Sequence, residues 1–298
     1  MAVHVPVLLN EMVTFLAPQA GKVYIDATFG GGGYTRAILE RADCSVYAID
    51  RDPEAQERSN QFQSAYGDRF HFLFGTFGQM DAVLPCGLSY DGIVFDFGVS
   101  SFQLEDAERG FSFQLDGPLD MRMGNAGLSA EDVVNTYSQE QLYEIIKSYG
   151  EEKKAYAIAK AIVESRQEGR ISTTRQLATL VQRIVRRKDG IHPATLTFQA
   201  LRIFVNNELI EIDRALGKCL SLVPVGGRIV TVTFHSLEDR IVKNWMRNHT
   251  MATSLFKTCI KPLVNKVVAP SVDEVRQNPR ARSAKLRAFE VVNRGEYC

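Results

Sequence analysis

Four consecutive glycines, Gly30-Gly31-Gly32-Gly33, follow directly on Val23-Tyr24-Ile25-Asp26-Ala27-Thr28-Phe29. Few folds can use such a stretch. Val23, Tyr24 and Ile25 are good strand formers, and Asp26 stands where that strand should end. The glycines permit positive φ and leave no Cβ between the backbone and whatever approaches it. The residues from 33 to 41 suit a helix whose free N–H groups and positive dipole end face the turn. Strand, glycine turn and helix form the opening unit of a nucleotide-type α/β fold.

The turn alone leaves its ligand open. A dinucleotide pyrophosphate, the amino-acid end of S-adenosylmethionine, or no ligand at all would suit it. A second acid narrows the choice. Ser45-Val46-Tyr47-Ala48-Ile49-Asp50 reads as another strand, and Asp50 at its end can accept from both hydroxyls of an adenosine ribose. Arg69-Phe70-His71-Phe72-Leu73-Phe74 and Tyr90-Asp91-Gly92-Ile93-Val94-Phe95-Asp96 read as a third and a fourth strand. Alternation with helices, one opening near Asp52-Pro53, argues for a parallel sheet with right-handed crossovers. Ligands of such sheets sit beyond the carboxyl ends of the strands. Asp26, Asp50, Phe77 and Asp96 all fall at or just past those ends.

The middle of the chain changes character. Between about 105 and 216 no stretch reads as a strand. A loop-like segment rich in Gly, Asp and Met runs from 103 to 125. Capping-box spacings then occur at Ser129-Ala130-Glu131-Asp132 and Ser138-Gln139-Glu140-Gln141. Helical apolar stripes follow: Leu142, Ile145 and Ile146; then Tyr156, Ile158, Ala159, Ile162 and Val163; then Leu177, Leu180, Val181, Ile184 and Val185. One long helix is expected from Pro193 through Phe198, Leu201 and Leu209 to Ile212. The sheet resumes at Arg228-Ile229-Val230-Thr231-Val232-Thr233, followed by a helix capped at Ser236. Residues 286–292 suit a last strand, antiparallel at the far side of the sheet. The expected organisation is a first sheet part over 1–104, a helical insert over 105–215, and a second sheet part over 216–298.

Composition excludes little but is consistent. Hydrophobic residues make up 45% and charged residues 23% of the 298, with formal net charge zero. Nucleic-acid binding must therefore come from local patches. Candidates are Arg183, Arg186, Arg187 and Lys188, and, near the C-terminus, Arg276, Arg280, Arg282, Lys285 and Arg287. No apolar run reaches the ~18 residues of a membrane span. Met1-Ala2-Val3-His4-Val5-Pro6 lacks the plan of a secretion signal, and the five scattered cysteines show no metal-ligand spacing. A cytoplasmic protein with no membrane partner and no metal is expected.

Several longer motifs resemble one family. They include Tyr24-Ile25-Asp26-Ala27-Thr28-Phe29-Gly30, Ala48-Ile49-Asp50-Arg51-Asp52-Pro53, Asp96-Phe97-Gly98-Val99-Ser100-Ser101, Glu105-Asp106-Ala107-Glu108-Arg109-Gly110-Phe111, Phe198-Gln199-Ala200-Leu201-Arg202-Ile203, Phe234-His235-Ser236-Leu237-Glu238-Asp239-Arg240 and Asn278-Pro279-Arg280-Ala281-Arg282-Ser283. The chain resembles the bacterial MraW, or RsmH, methyltransferases from about 4 to 289. The resemblance implies an α/β fold: a class I S-adenosylmethionine-dependent methyltransferase sheet, Rossmann-like, with an inserted all-helical domain that recognises RNA. It implies methyl transfer to N4 of a cytidine in the decoding-centre region of 16S ribosomal RNA, within the 30S subunit or a late precursor. Carried over position by position, it implies a donor site of Gly32, Gly33, Tyr34, Asp50, Phe77, Asp96 and Gln103. Tyr34 stands where many members have His, and Phe102 where many have Pro.

The chemistry adds Asp96 and His235 as candidate catalytic residues. The N4 lone pair of cytosine is delocalised into the ring, so acceptors aimed at its hydrogens would free it. Asp96 and the loop after it are expected between donor and base, with His235 a second base or substrate contact. Asp96-Phe97-Gly98-Val99 is not the Asp/Asn-Pro-Pro-aromatic tetrapeptide of many amino-methyltransferases. A paired cytosine must also be flipped out before its N4 can react. Three alternatives stay open: a nicotinamide-dependent dehydrogenase, a DNA amino-methyltransferase, and a non-enzymatic RNA-binding protein. The residues fix no oligomeric state, and a homodimer is among the options.

Overall fold

The computed structural model describes residues 6–186, 192–250 and 258–293. His4, Arg187 and Lys188 lie outside the described residues. In chain order the elements are α1 (Leu9–Leu16), β1 (Val23–Asp26), α2 (Gly33–Arg41), β2 (Ser45–Asp50), α3 (Pro53–Tyr66), β3 (Phe70–Phe74), α4 (Met80–Val83) and β4 (Gly92–Asp96). Helices α5 (Ser101–Glu105), α6 (Ala130–Thr136), α7 (Gln139–Gly150), α8 (Ala155–Glu168), α9 (Thr174–Ile184) and α10 (Thr195–Asn206) follow. The chain ends with α11 (Glu208–Leu222), β5 (Arg228–Thr233), α12 (Ser236–His249), β6 (Thr258–Pro262), α13 (Val272–Gln277) and β7 (Lys285–Asn293).

These elements form two compact units, one of residues 1–98 with 209–298, the other of residues 99–208. The divisions fall earlier in the chain than the 104/105 and 215/216 read from the sequence. Val99 and Leu104 pack on the helical core, whereas Leu209, Ile212, Ala215 and Leu216 join a cluster under the sheet. The expected long helix from Pro193 is also two helices. Asn207 takes a left-handed conformation, φ 52, and ends α10 through its N–H, which bonds Ile203 and Phe204 carbonyls. Asparagine tolerates that region better than most residues, so the apolar periodicity ran on across a real break.

The first unit is built on a seven-stranded sheet of order β3-β2-β1-β4-β5-β7-β6. β1 to β5 pair in parallel, and β7 runs antiparallel to both β5 and β6. The final strand is therefore antiparallel as expected but not outermost. β6, in a stretch the sequence left undefined, takes the edge. Alternate residues of the parallel strands face opposite cores, as a two-residue period requires. Ile25, Ile49, Ile93 and Ile229 lie in one apolar cluster, and Tyr24, Ala48, Val94 and Val230 in the other. Burying a side chain of this size contributes ~1.5–3 kcal/mol. The order of strands turns back between β1 and β4. Such a reversal opens a crevice at the carboxyl ends of those two strands, where Asp26 and Asp96 stand.

The second unit is helical. α6 and α7 open with the capping boxes expected at Ser129 and Ser138, and α9 with another at Thr173. Its core gathers Leu142, Ile146, Ile158, Ile162, Leu177, Val181, Phe198 and Leu201. The Gly- and Met-rich segment is pinned to that core rather than loose. Buried Asn206 donates to the Met121 carbonyl at 2.7 Å and accepts from the Met123 N–H at 2.8 Å. Arg109 donates to the Arg122 and Met123 carbonyls, each at 3.0 Å.

An Asn206→Leu change strands both Met121 C=O and Met123 N–H away from water. It should lower unfolding free energy by ~2–4 kcal/mol, read as a drop in the urea midpoint. An unchanged midpoint would mean that the segment is held elsewhere.

Candidate active site

The glycine turn between β1 and α2 is shaped first by the protein's own packing. Gly32 has φ +75, and a Cβ there would lie 2.2 Å from the Phe62 ring; one on Gly33 would lie 2.1 Å from the Pro6 ring. The turn thus closes under Phe62 on one side and Pro6 on the other. Tyr34 points the same inward way. It is buried, and its hydroxyl donates to the Val7 carbonyl. Position 34 can therefore serve a ligand through its backbone N–H, in the first turn of α2 where such groups lack helical partners. The exchange of His for Tyr alters packing against residue 7.

Asp26 braces this turn from below. The carboxylate is wholly buried. Oδ1 accepts from the Thr28 N–H at 3.2 Å, and Oδ2 accepts from the Thr35 N–H at 3.1 Å and its hydroxyl at 2.7 Å. Burial pushes the Asp26 carboxyl up to about 6, against the pull of the Thr35 and Thr28 hydrogen bonds. Asp50 ends β2 with both oxygens oriented. Oδ1 accepts from the Asp52 N–H at 2.9 Å and Oδ2 from the Gly30 N–H at 2.7 Å. One lone pair on each oxygen stays available for a diol. Burial raises its carboxyl too, opposed by those two N–H groups.

Asp96, at the end of β4, is different. Its backbone N–H donates to Thr28 Oγ1 at 2.7 Å, which ties β4 to the turn. Its side-chain Oδ1 is shielded from solvent and has no hydrogen-bond partner among the described residues. Burial, then the charges of Asp26 and Glu238, raise the Asp96 carboxyl well above the usual range. An acceptor buried without a donor costs ~1–3 kcal/mol. Such a cost is tolerated where a ligand supplies the missing hydrogen or a positive charge.

His235 follows β5, the strand whose Val232 pairs with Asp96. The structure makes it the N-cap of α12, in place of the Ser236 expected. Its Nδ1 accepts from the Glu238 N–H at 3.4 Å, and Glu238 returns to the cap, accepting at Oε2 from the Phe234 and His235 N–H groups at 2.7 and 3.2 Å. Nε2 lies 3.1 Å from Glu238 Oε1. That contact does not meet hydrogen-bond geometry, and the buried Nε2 has no hydrogen-bond partner among the described residues. Phe77 follows β3, its ring centroid 6.2 Å from Phe95 and 5.7 Å from Phe97. Gln103 belongs to the helical unit. It is buried, and its Oε1 accepts from the Ser100 N–H to complete the cap of α5. Phe102 beside it is exposed.

A profile of the MraW methylase family matches residues 1–292. The chain belongs to that family. It is therefore an S-adenosylmethionine-dependent methyltransferase. A Rhodospirillum rubrum protein named ribosomal RNA small subunit methyltransferase H is 48% identical over 96% of this chain and 94% of its own length. Proteins of the same name from Acidiphilium cryptum and Rickettsia bellii are 50% and 47% identical. They are matched over 97% and 99% of their lengths. The residues at these strand ends fit the donor. Asp50 suits a ribose diol, and Asp96 Oδ1 suits a hydrogen or a cation.

Sequence reasoning named Asp50, Phe77 and Asp96 and assigned Asp26 no role beyond its strand end. It passed over Thr28, Thr35 and Glu238. Glu238 carried a usable signal: it sits three residues after His235, the spacing of a capping box with histidine as cap. Thr35 carried none, because its partner lies nine positions away on another element.

Asp26 gives the pH dependence its sign. Its folded pKa lies above the ordinary 3.8, so its favourable contribution is full below that value and is lost as pH rises through about 6. The raised Asp96 and Asp50 carboxyls act in the same direction. A cationic donor favours their ionised forms. Donor affinity should thus fall as pH drops from neutrality through 6, and Asp96→Asn should flatten the profile. Titration calorimetry between pH 5 and 8 checks it; equal slopes for the two proteins would exclude Asp96 as the linked group.

Proposed function

We propose that this methyltransferase modifies N4 of a cytidine in 16S ribosomal RNA, in the decoding-centre region, with the small subunit or a late precursor as substrate. The relatives named for small-subunit ribosomal RNA support the RNA, and the free acceptor on Asp96 supports the amino group. S-adenosylmethionine, when bound, supplies a methyl group already activated on a sulfonium. What remains for the chain is to place the acceptor and manage its hydrogens, a task of positioning more than of bond polarisation.

Asp96 carries the proposal. An exocyclic amine presents N–H donors, and Asp96 Oδ1 is a shielded acceptor with no donor among the described residues. Accepting from one N4 hydrogen draws the nitrogen toward a pyramidal shape and localises its lone pair. The carboxylate can then hold or receive the proton that N4 loses. The backbone anchor from Asp96 N–H to Thr28 Oγ1 keeps this carboxylate in place beside the turn. Asp50 would hold the ribose hydroxyls of the donor, and Phe77 would lie beside its adenine. The dehydrogenase alternative falls with membership in a methylase family.

His235 is proposed second. Its Nδ1 already accepts from the Glu238 N–H in the first turn of α12, so its contribution is to fix the turn after β5.

The deciding assay uses small subunits from cells lacking this protein, purified enzyme and labelled S-adenosylmethionine, with nucleoside analysis of the digested RNA. The expected product is N4-methylated cytidine at one site. Label in another nucleoside, or none, would overturn the reading. In the same assay Asp96→Ala should lower turnover by at least ~100-fold, the scale of a lost acid–base group; full turnover would remove Asp96 from the reaction.

A pair of variants separates the two roles of His235. His235→Asn keeps an N-cap acceptor and should retain stability and most turnover, whereas His235→Ala should lose ~1 kcal/mol of stability. Loss of turnover in a stably folded His235→Asn protein would instead make His235 a base or a substrate contact.

A further inference from the structure

α11 carries Glu211, Arg214 and Lys218, spaced by three and four residues, so all three share one face of the helix. That face acts on the loop after β3. Glu211 is buried, and its Oε2 accepts from the Gly78 N–H at 3.2 Å. Its Oε1 lies 3.5 Å from Nη1 of Arg214. Lys218 Nζ donates to the Gly78 carbonyl at 2.6 Å and pairs with Asp81. Both peptide units flanking Gly78 are thus held by side chains of one helix. The fit is close: a Cβ on Gly78 would lie 2.4 Å from Glu211 Oε2.

Loop peptides commonly satisfy their N–H and C=O groups with water. Here one acidic and one basic side chain do it, and hydrogen bonds with a charged partner are about twice as strong as neutral ones. The residue whose backbone direction they fix is Phe77. Its ring packs against Phe95 and Phe97, at the end of the sheet that carries Asp50 and Asp96.

We infer that Glu211 and Lys218 are positioning residues that clamp Gly78 and so set the adenosine end of the donor site. This rests on the reading that Phe77 lies beside the adenine. The clamp touches neither donor nor RNA. It acts by holding the Phe77–Gly78 peptide in one conformation before the donor arrives, which spares the cost of ordering that loop on binding.

The test compares two probes on the full-length protein by titration calorimetry: S-adenosylhomocysteine, and 5′-methylthioadenosine, which lacks the amino acid. Glu211→Met and Lys218→Met should each weaken both probes by about tenfold, the scale of one lost charge-assisted hydrogen bond. Glu211→Gln keeps the size and an acceptor, Lys218→Arg keeps the charge, and both should stay within about twofold. In turnover, the KM for donor should rise while kcat at saturating donor holds. Thermal melts identify any variant that fails to fold; Glu211→Met and Lys218→Met are made separately, so whichever folds carries the comparison. Unchanged affinity for both probes would overturn the clamp. So would a loss confined to S-adenosylhomocysteine, which would place the effect at the amino-acid end. Two other results would point elsewhere. No binding of S-adenosylhomocysteine to the unsubstituted protein would sink the donor site itself. Normal 5′-methylthioadenosine affinity in Phe77→Ala would sink the adenine placement on which the clamp depends.

Discussion

Asp26 is buried at the end of the first strand, and its two oxygens accept three hydrogen bonds, from Thr28 N–H, Thr35 N–H and the Thr35 hydroxyl. Those bonds join β1, the glycine turn and α2 into one piece. Thr28 in turn accepts from the Asp96 backbone, so the end of β4 is set by the same network. The rest of the site hangs from it. Gly30 donates to Asp50, which orients the second carboxylate, and the Phe62 and Pro6 rings close the turn around Gly32 and Gly33. A buried carboxylate with this many donors is costly to form and hard to move, and a site that must align a methyl donor with its acceptor needs such rigidity.

The charge pattern follows from the same geometry. Asp26, Asp50 and Asp96 gather at neighbouring strand ends, and Glu238 adds its charge toward Asp96. Burial raises all three carboxyls, and the charge of Asp50 adds to it at Asp26 and those of Asp26 and Glu238 at Asp96. A ligand that brings positive charge relieves that repulsion, which is why this cluster suits a sulfonium better than the phosphates of a dinucleotide. The basic residues near the C-terminus divide in the structure. Arg287 and Lys285 pair with Asp239, so they serve the sheet, while Arg280 and Arg282 are exposed on the turn after α13.

Much of this was legible from local patterns. Strand ends at Asp26, Asp50 and Asp96 followed from short β-branched runs bounded by breakers, and the caps at Ser129 and Ser138 from their spacing. The misreadings share a cause. The break at Asn207, the cap at His235 and the edge position of β6 each turn on a residue type that is ambiguous in sequence. Asparagine can end a helix or continue one, a histidine can cap or catalyse, and a strand carries no mark of which neighbour it will find.

Periodicity, turn chemistry and capping are written in neighbouring residues, and they carried the α/β class, the helical stretch between two sheet segments, and the acids at the strand ends. Folding in three dimensions settled which of those acids are satisfied. Asp26 and Asp50 find backbone and hydroxyl donors, whereas Asp96 Oδ1 finds none among the described residues. It also decided that Tyr34 packs inward on Val7, and that Glu211 and Lys218 reach Gly78 from a helix more than a hundred residues away. These contacts depend on where the sheet and its helices bring distant side chains together, and no local pattern encodes that distance.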